Sequence, residues 1–122
     1  MQSPDKIDLS AKLALFTDHW SPKIVAELNG QHVKVVKLQG EFTWHHHEQE
    51  DELFLVLRGK LRMQFLDREV ALGPGELIVV PRGMEHRPCA DEEVHVLLFE
   101  PASTLNTGNV VDERTVQRPE RL

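Results

Sequence analysis

The chain has 122 residues and a formal net charge of −6 at pH 7, with 14 Lys and Arg against 20 Asp and Glu. That length is one ordinary domain, large enough to bury its own core. An acidic balance without a Lys/Arg cluster excludes a binder of nucleic-acid backbones. The longest apolar runs, 53–57 and 77–80, are far short of the roughly 20 residues of a membrane span. The first 15 residues carry Asp5, Lys6, Asp8 and Lys12, so no secretory signal is expected. Cys89 has no second cysteine to pair with, which points to a reducing, cytoplasmic setting.

In chain order, Leu9, Leu13 and Phe16 fall at helical spacing, and Asp8 or Ser10 can cap the start, which predicts a short helix over 8–16. Ser21-Pro22 ends it. Two β-prone runs, 23–28 and 31–38, flank Asn29-Gly30, the strongest short hairpin signal. Further strands are expected at 41–47, 53–57, 60–66, 69–72, 77–80 and 94–99, separated by Gly- and Pro-containing turns. Many short strands with such turns predict an all-β sandwich or barrel. Runs 53–57 and 77–80 are apolar on both parities, so one face lines the interior and the other needs a cover. The N-terminal segment or a second subunit is the expected cover, and a homodimer is expected. After Pro101 the pattern dissolves, leaving an irregular C-terminal arm over 102–122 whose last residues, 118–122, are expected to be loose. The chain is thus divided into an N-terminal helical segment (1–22), a β-barrel domain (23–101) and this arm.

Seven histidines include three in a row, His45, His46 and His47. On a strand, His45 and His47 share one face with Cα atoms roughly 6–7 Å apart, close enough to reach one ion. Glu52 opens the following strand, and His86 follows the sharp Pro81-Arg82-Gly83 turn. Three neutral imidazoles and a carboxylate suit one divalent transition metal such as Fe2+, Mn2+, Zn2+ or Ni2+. A solvated histidine run on an edge strand would account for His45 to His47 alone, but not for Glu52 and His86 at fixed spacing. His46 points the other way and is not expected to be a ligand.

The segment from Gly40 to Gly59 resembles the first motif of the cupin superfamily: His45-x-His47, four residues, Glu52, six residues, Gly59. Its gap after Gly40 is four residues where the family usually has five. Gly75 to His86 resembles the second motif, with Pro81, Gly83 and His86 at the expected spacing; the family's closing Asn falls at Ala90. The resemblance implies a double-stranded β-helix, or jelly-roll, barrel with the metal inside. It implies no single activity, because cupins include dioxygenases, isomerases, epimerases and non-catalytic binders.

Arg58-Gly59 predicts a hairpin that pairs Val56 with Leu61, Phe54 with Met63 and Glu52 with Phe65. Phe54, Met63 and Phe65 then line a mostly apolar substrate cavity beside the metal, with Arg82 at its mouth. Glu52 and His95 are the candidate catalytic groups. Phe42 and Trp44 are expected to share an outward face, and Cys89 to be a buried structural thiol. Three functions compete. One is a metal-dependent, dioxygenase-like enzyme on a small carboxylate or aromatic metabolite. Another is a non-catalytic small-molecule-binding module. The third is a sugar isomerase or epimerase resembling mannose-6-phosphate isomerase.

Overall fold

A computed structural model describes residues 4–122; the first three residues of the expected N-terminal segment lie outside the described residues. Helix α1 (Leu9–Leu13) is capped by Asp8, whose side chain accepts from the Ala11 N–H at 3.2 Å. It is shorter than the 8–16 expected. Seven antiparallel strands follow: β1 (Lys23–Leu28), β2 (Gln31–Glu41), β3 (Glu52–Arg58), β4 (Leu61–Phe65), β5 (Glu69–Leu72), β6 (Leu77–Val80) and β7 (His86–Pro101). Asn29 (φ 50°) and Gly30 (φ 75°) make the β1–β2 hairpin turn, as their left-handed preference dictates.

The barrel is organised by β7, a 16-residue strand. Its C-terminal half lies between β2 and β3, giving the order β1-β2-β7-β3-β6. Its first residues pair instead with β4, setting Phe65 opposite His86 and Met63 opposite Pro88. One strand therefore belongs to both sides of the jelly roll. Alternation along β7 points Val94, Val96 and Leu98 into the interior, where they meet Val36, Phe54, Val56, Leu61 and Met63. A second, smaller core under α1 joins Leu13, Phe16, Val25 and Val35 on the outer face.

Four sequence expectations are corrected here. The Arg58-Gly59 turn does not close a hairpin: β3 pairs with β6 and β7, and β4 with β5 and β7. Gly59 (φ 89°) instead carries the chain across the barrel so tightly that a Cβ would stand 2.9 Å from the Glu93 carbonyl oxygen. The side chains named from that false register, Phe54, Val56, Leu61, Met63 and Phe65, still face inward and are buried. The strand expected at 41–47 ends at Glu41, and the strand expected at 94–99 begins at His86. The chain end is not loose. Ile24 donates to the Glu120 carbonyl (2.8 Å) and Leu122 to the Ile24 carbonyl (2.9 Å), which ties the arm to β1.

Leu61 is fully buried at the centre of the barrel core. Leu61→Ala is expected to lower the unfolding free energy by about 2–5 kcal/mol in urea titrations. A loss below about 1 kcal/mol would mean the barrel interior is not close-packed.

Candidate metal centre

Three stretches of chain deliver the four candidate ligands. After Glu41 the backbone runs through 42–47 without joining a ladder. Its main chain finds scattered partners instead: Phe42 donates to the Pro88 carbonyl, His45 exchanges bonds with His86, and the His47 carbonyl accepts from Gly83. This is why the expected strand breaks up. The reciprocal pair, His45 N–H to His86 O (3.1 Å) and His86 N–H to His45 O (2.9 Å), sets the two residues side by side, with ring centroids 4.3 Å apart. Glu52 enters as the first residue of β3, opposite Val80.

One ligand atom from each of His45, His47, Glu52 and His86 lies within 4.8 Å of the others, and all four residues are buried. His45 Nδ1 donates to the Thr43 carbonyl (2.8 Å) and His86 Nδ1 to the Met84 carbonyl (2.9 Å). A carbonyl can only accept, so Nδ1 carries the proton and the Nε2 lone pair is turned inward. His47 Nε2, His86 Nε2 and Glu52 Oε1 are buried without a hydrogen-bond partner. Glu52 Oε1 lies 3.2 Å from His47 Nε2 and 3.5 Å from His86 Nε2. Donor atoms about 2.1 Å from one ion stand roughly 3.0–3.4 Å from each other. Orphaned lone pairs at those separations fit a divalent transition metal.

The electrostatics agree with that fit. Burial pushes the Glu52 carboxyl up, yet the His47 and His86 imidazoles that face it outweigh burial and hold the group well below the usual carboxylate range. Burial, then the neighbouring His86 imidazole, lowers His45 to about 4. The cluster therefore holds an anionic carboxylate and, at neutral pH, an uncharged His45, the forms that bind metals.

The other sequence candidates are spread out. Phe54 lines a pocket that opens on His45 and Glu52, together with Trp20, Phe42, Leu98 and Glu100. Met63 and Phe65 are buried core residues that do not line it. Arg82 lies at the surface, its backbone N–H and Nε both donating to Asp51 Oδ1. His95 is on the outer parity of β7, where its Nε2 meets Glu93 Oε1 at 3.0 Å. Glu93 also takes a bond from His19; the His19 and then the His95 contact hold its carboxyl down at about 2. His46 bridges Glu85 and Glu48 away from the cluster. Cys89 is buried, and burial raises its thiol. Phe42 does not face outward: it is 7% exposed and stacks on Trp20 at 4.6 Å.

Sequence reasoning passed over the buried pair Lys34–Glu100, joined at 2.8 Å with both side chains 1% exposed. Burial, then the negative charge of Glu52, pushes the Glu100 carboxyl well above its usual range against the pull of Lys34. A signal existed, since Glu100 shares the inward parity of Val94, Val96 and Leu98. Trp20 and Asn106, also on the pocket wall, lie outside both motifs and carried no such signal.

Elemental analysis of purified protein is expected to give about one divalent ion per chain, and His47→Ala or His86→Ala to abolish it. Metal-reconstituted wild type that retains no ion would remove the centre altogether. A pH dependence follows from His45. Its folded pKa of about 4 lies below the ordinary 6.5, so the unfolded chain takes up the proton first as pH falls. The His45 contribution to the stability of metal-free protein is therefore complete above about pH 6.5 and is lost progressively toward pH 4. Thermal melts across that window should show a decline that His45→Gln reduces; identical pH profiles would contradict the assignment.

Comparison with known proteins places this geometry in a family. The model of the Cupin domain matches residues 32–100. The YdbB protein of Bacillus subtilis (strain 168) is 41% identical over 64 residues, 52% of this chain and 57% of that protein, so the chain spans little more than half of that relative's length. A cupin-2 domain containing protein from Shewanella frigidimarina NCIMB 400 superposes with TM-score 0.77 at 44% identity, covering 78% of this chain and 93% of that one. KdgF from Halomonas sp. superposes at 0.58 with 28% identity, covering 66% and 78%. The matched segment, more than half of the chain, contains all four buried ligand candidates, and the chain belongs to the cupin family.

Proposed function

We propose that the protein is a metal-dependent enzyme of dioxygenase type that acts on a small organic molecule, aromatic or carboxylate-bearing. One divalent ion, Fe2+, Mn2+, Zn2+ or Ni2+, is held by His45, His47, Glu52 and His86. The observation that carries the reading is the pocket against His45 and Glu52, whose wall is apolar and aromatic apart from His45, Glu52, Glu100 and Asn106. When bound, the ion supplies Lewis acidity and, if it is iron, redox chemistry with dioxygen. The chain's own part is to bind, orient and dry the reactants. Trp20, Phe42 and Phe54 offer ring faces and exclude water. Glu52 is the proposed base. Glu100, whose carboxyl burial and the charge of Glu52 push well above its usual range, stands on the same pocket wall. His95 contributes no atom to this pocket.

The free space is about 30 Å³, room for one or two waters, so an organic substrate gains access by displacing the Trp20–Phe42 stack. No Lys or Arg lines the pocket among the described residues, which disfavours the sugar-phosphate isomerase reading. A cytoplasmic setting, read from the single buried Cys89, is part of the same proposal.

The test loads the protein with each metal in turn and measures dioxygen uptake over a panel of catechols and small aromatic acids. The Fe2+ form is expected to consume dioxygen with at least one of them, and Trp20→Ala to change KM more than kcat. A panel member that binds every metal form without turnover would return the protein to a binding module.

We further propose a homodimer. Leu77 and Val79 on edge strand β6 are 56% and 51% exposed. Cross-strand pairing extends them into two apolar rows on the outer face, Val79–Leu53–Phe99 and Leu77–Leu55–Leu97. A patch of that kind is an association surface. Sedimentation at micromolar concentration is expected to give twice 14.0 kDa, and Val79→Lys to give monomer; a monomeric wild type would refute it.

A further inference from the structure

The arm beyond β7 lies outside the matched cupin segment, which ends at residue 100, yet it reaches the metal centre. Ala102 turns the chain by donating to the Gly30 carbonyl, and the arm then crosses the 42–47 segment. Asn109 takes both main-chain polar groups of His46, the residue between two ligands. Its N–H donates to the His46 carbonyl (3.0 Å), and its Oδ1 accepts from the His46 N–H (2.9 Å). Gly108 packs so closely that a Cβ would stand 2.2 Å from the His46 carbonyl oxygen and 3.0 Å from His45 Cδ2. The clamp continues on either side. Thr43 Oγ1 donates to Asp112 Oδ2 (3.1 Å), and Arg114 Nη1 donates to the Glu41 carbonyl (2.7 Å). The arm is itself braced by buried Thr107, whose hydroxyl meets that of Thr115 at 2.7 Å, and by Val116 donating to Asn106 Oδ1.

No strand of the barrel holds His46. An amide side chain and a glycine contact stand in for one. The main chain at His46 sets the angle between the flanking rings, which are 86° apart in plane with centroids separated by 5.1 Å. We propose that the Gly108–Asn109 turn is a positioning element of the metal centre, locking His46 and thereby fixing how His45 and His47 converge on one ion. This rests on the reading of His45 and His47 as metal ligands. Groups that orient ligands from behind ordinarily change metal affinity 10–100-fold when removed.

The experiment uses the full chain and Co2+ alone as probe, measuring its dissociation constant against a chelator and its visible absorption. Asn109 is exposed, so its substitutions leave the core intact. Asn109→Ala is expected to weaken Co2+ binding 10–100-fold and to shift the visible bands. Asn109→Asp, which keeps the oxygen that accepts from His46, is expected to restore both. Gly108→Ala should act like Asn109→Ala, because its Cβ must displace the His46 carbonyl. Gly75→Ala is the control: it carries the same kind of left-handed strain (φ 83°) with nothing within 4 Å of the added Cβ, on a turn bonded to neither the arm nor the 42–47 segment. It should lose thermal stability and bind Co2+ as wild type does. Should Asn109→Ala melt at a lower temperature yet keep wild-type affinity and spectrum, the arm is a general stabiliser and the proposal is wrong. Should Gly108→Ala fail to fold, the Asn109 pair decides alone. Wild type that binds no Co2+ overturns the metal reading itself, a result separable from the first.

Discussion

A carboxylate and three imidazoles are buried together, and His47 Nε2, His86 Nε2 and Glu52 Oε1, which face one another, have no hydrogen-bond partner. Each unsatisfied buried polar group costs roughly 1–3 kcal/mol, and His47 Nε2, His86 Nε2 and Glu52 Oε1 are all of this kind. The fold tolerates them because the surrounding barrel core is close-packed and because both Nδ1 donors of His45 and His86 are satisfied by carbonyls two residues upstream. Such a cluster is a standing demand for a cation. Binding one converts an unfavourable feature of the metal-free state into a stabilising one, since only the folded chain presents the site.

Bringing the four donors together depends on β7. His86 shares the parity of Val94, Val96, Leu98 and Glu100, so alternation along β7 turns it toward the interior. By pairing first with β4 and later with β2 and β3, β7 carries His86 across the barrel while Leu98 and Glu100 still face inward. Gly59 allows the matching crossover between β3 and β4, pressed against Glu93 and Val94 where β7 passes from one side to the other. The same bend therefore serves packing and site.

How much of this the sequence carried differs by element. Period-two alternation and turn residues located the short strands, and the spacing of His45, His47, Glu52 and His86 named the cluster, because ligand geometry constrains local spacing tightly. Pairing was read wrongly at Arg58-Gly59. A glycine there reports positive φ, and positive φ serves a tight crossover as well as it serves a hairpin. The 42–47 segment looked like a strand because its side chains alternate, but backbone pairing is settled by distant residues such as Gly83, Pro88 and Asn109 that no local pattern reveals. The burial of Lys34 and Glu100 runs against the usual place of charged residues at the surface, and only the parity of Glu100 along β7 points to it.

The division of labour between barrel and flanks has a consequence for specificity. All four ligand candidates sit inside the segment shared with the cupin family, held by β3, β7 and the stretch between β2 and β3. The part of the pocket wall farther along the chain in both directions comes from Trp20 and Pro22 before the matched segment and Asn106 after it. Those residues are joined to each other: Asn106 Nδ2 reaches the Trp20 carbonyl at 3.5 Å and the Arg114 carbonyl at 2.8 Å, and the Arg114 guanidinium lies 5.7 Å from the Phe42 ring centre. Irregular flanks can change length and composition without breaking a sheet ladder, whereas the barrel cannot. On the proposed reading, residues that select a ligand can therefore change in the two arms while the four ligand candidates stay where β3, β7 and the stretch between β2 and β3 put them.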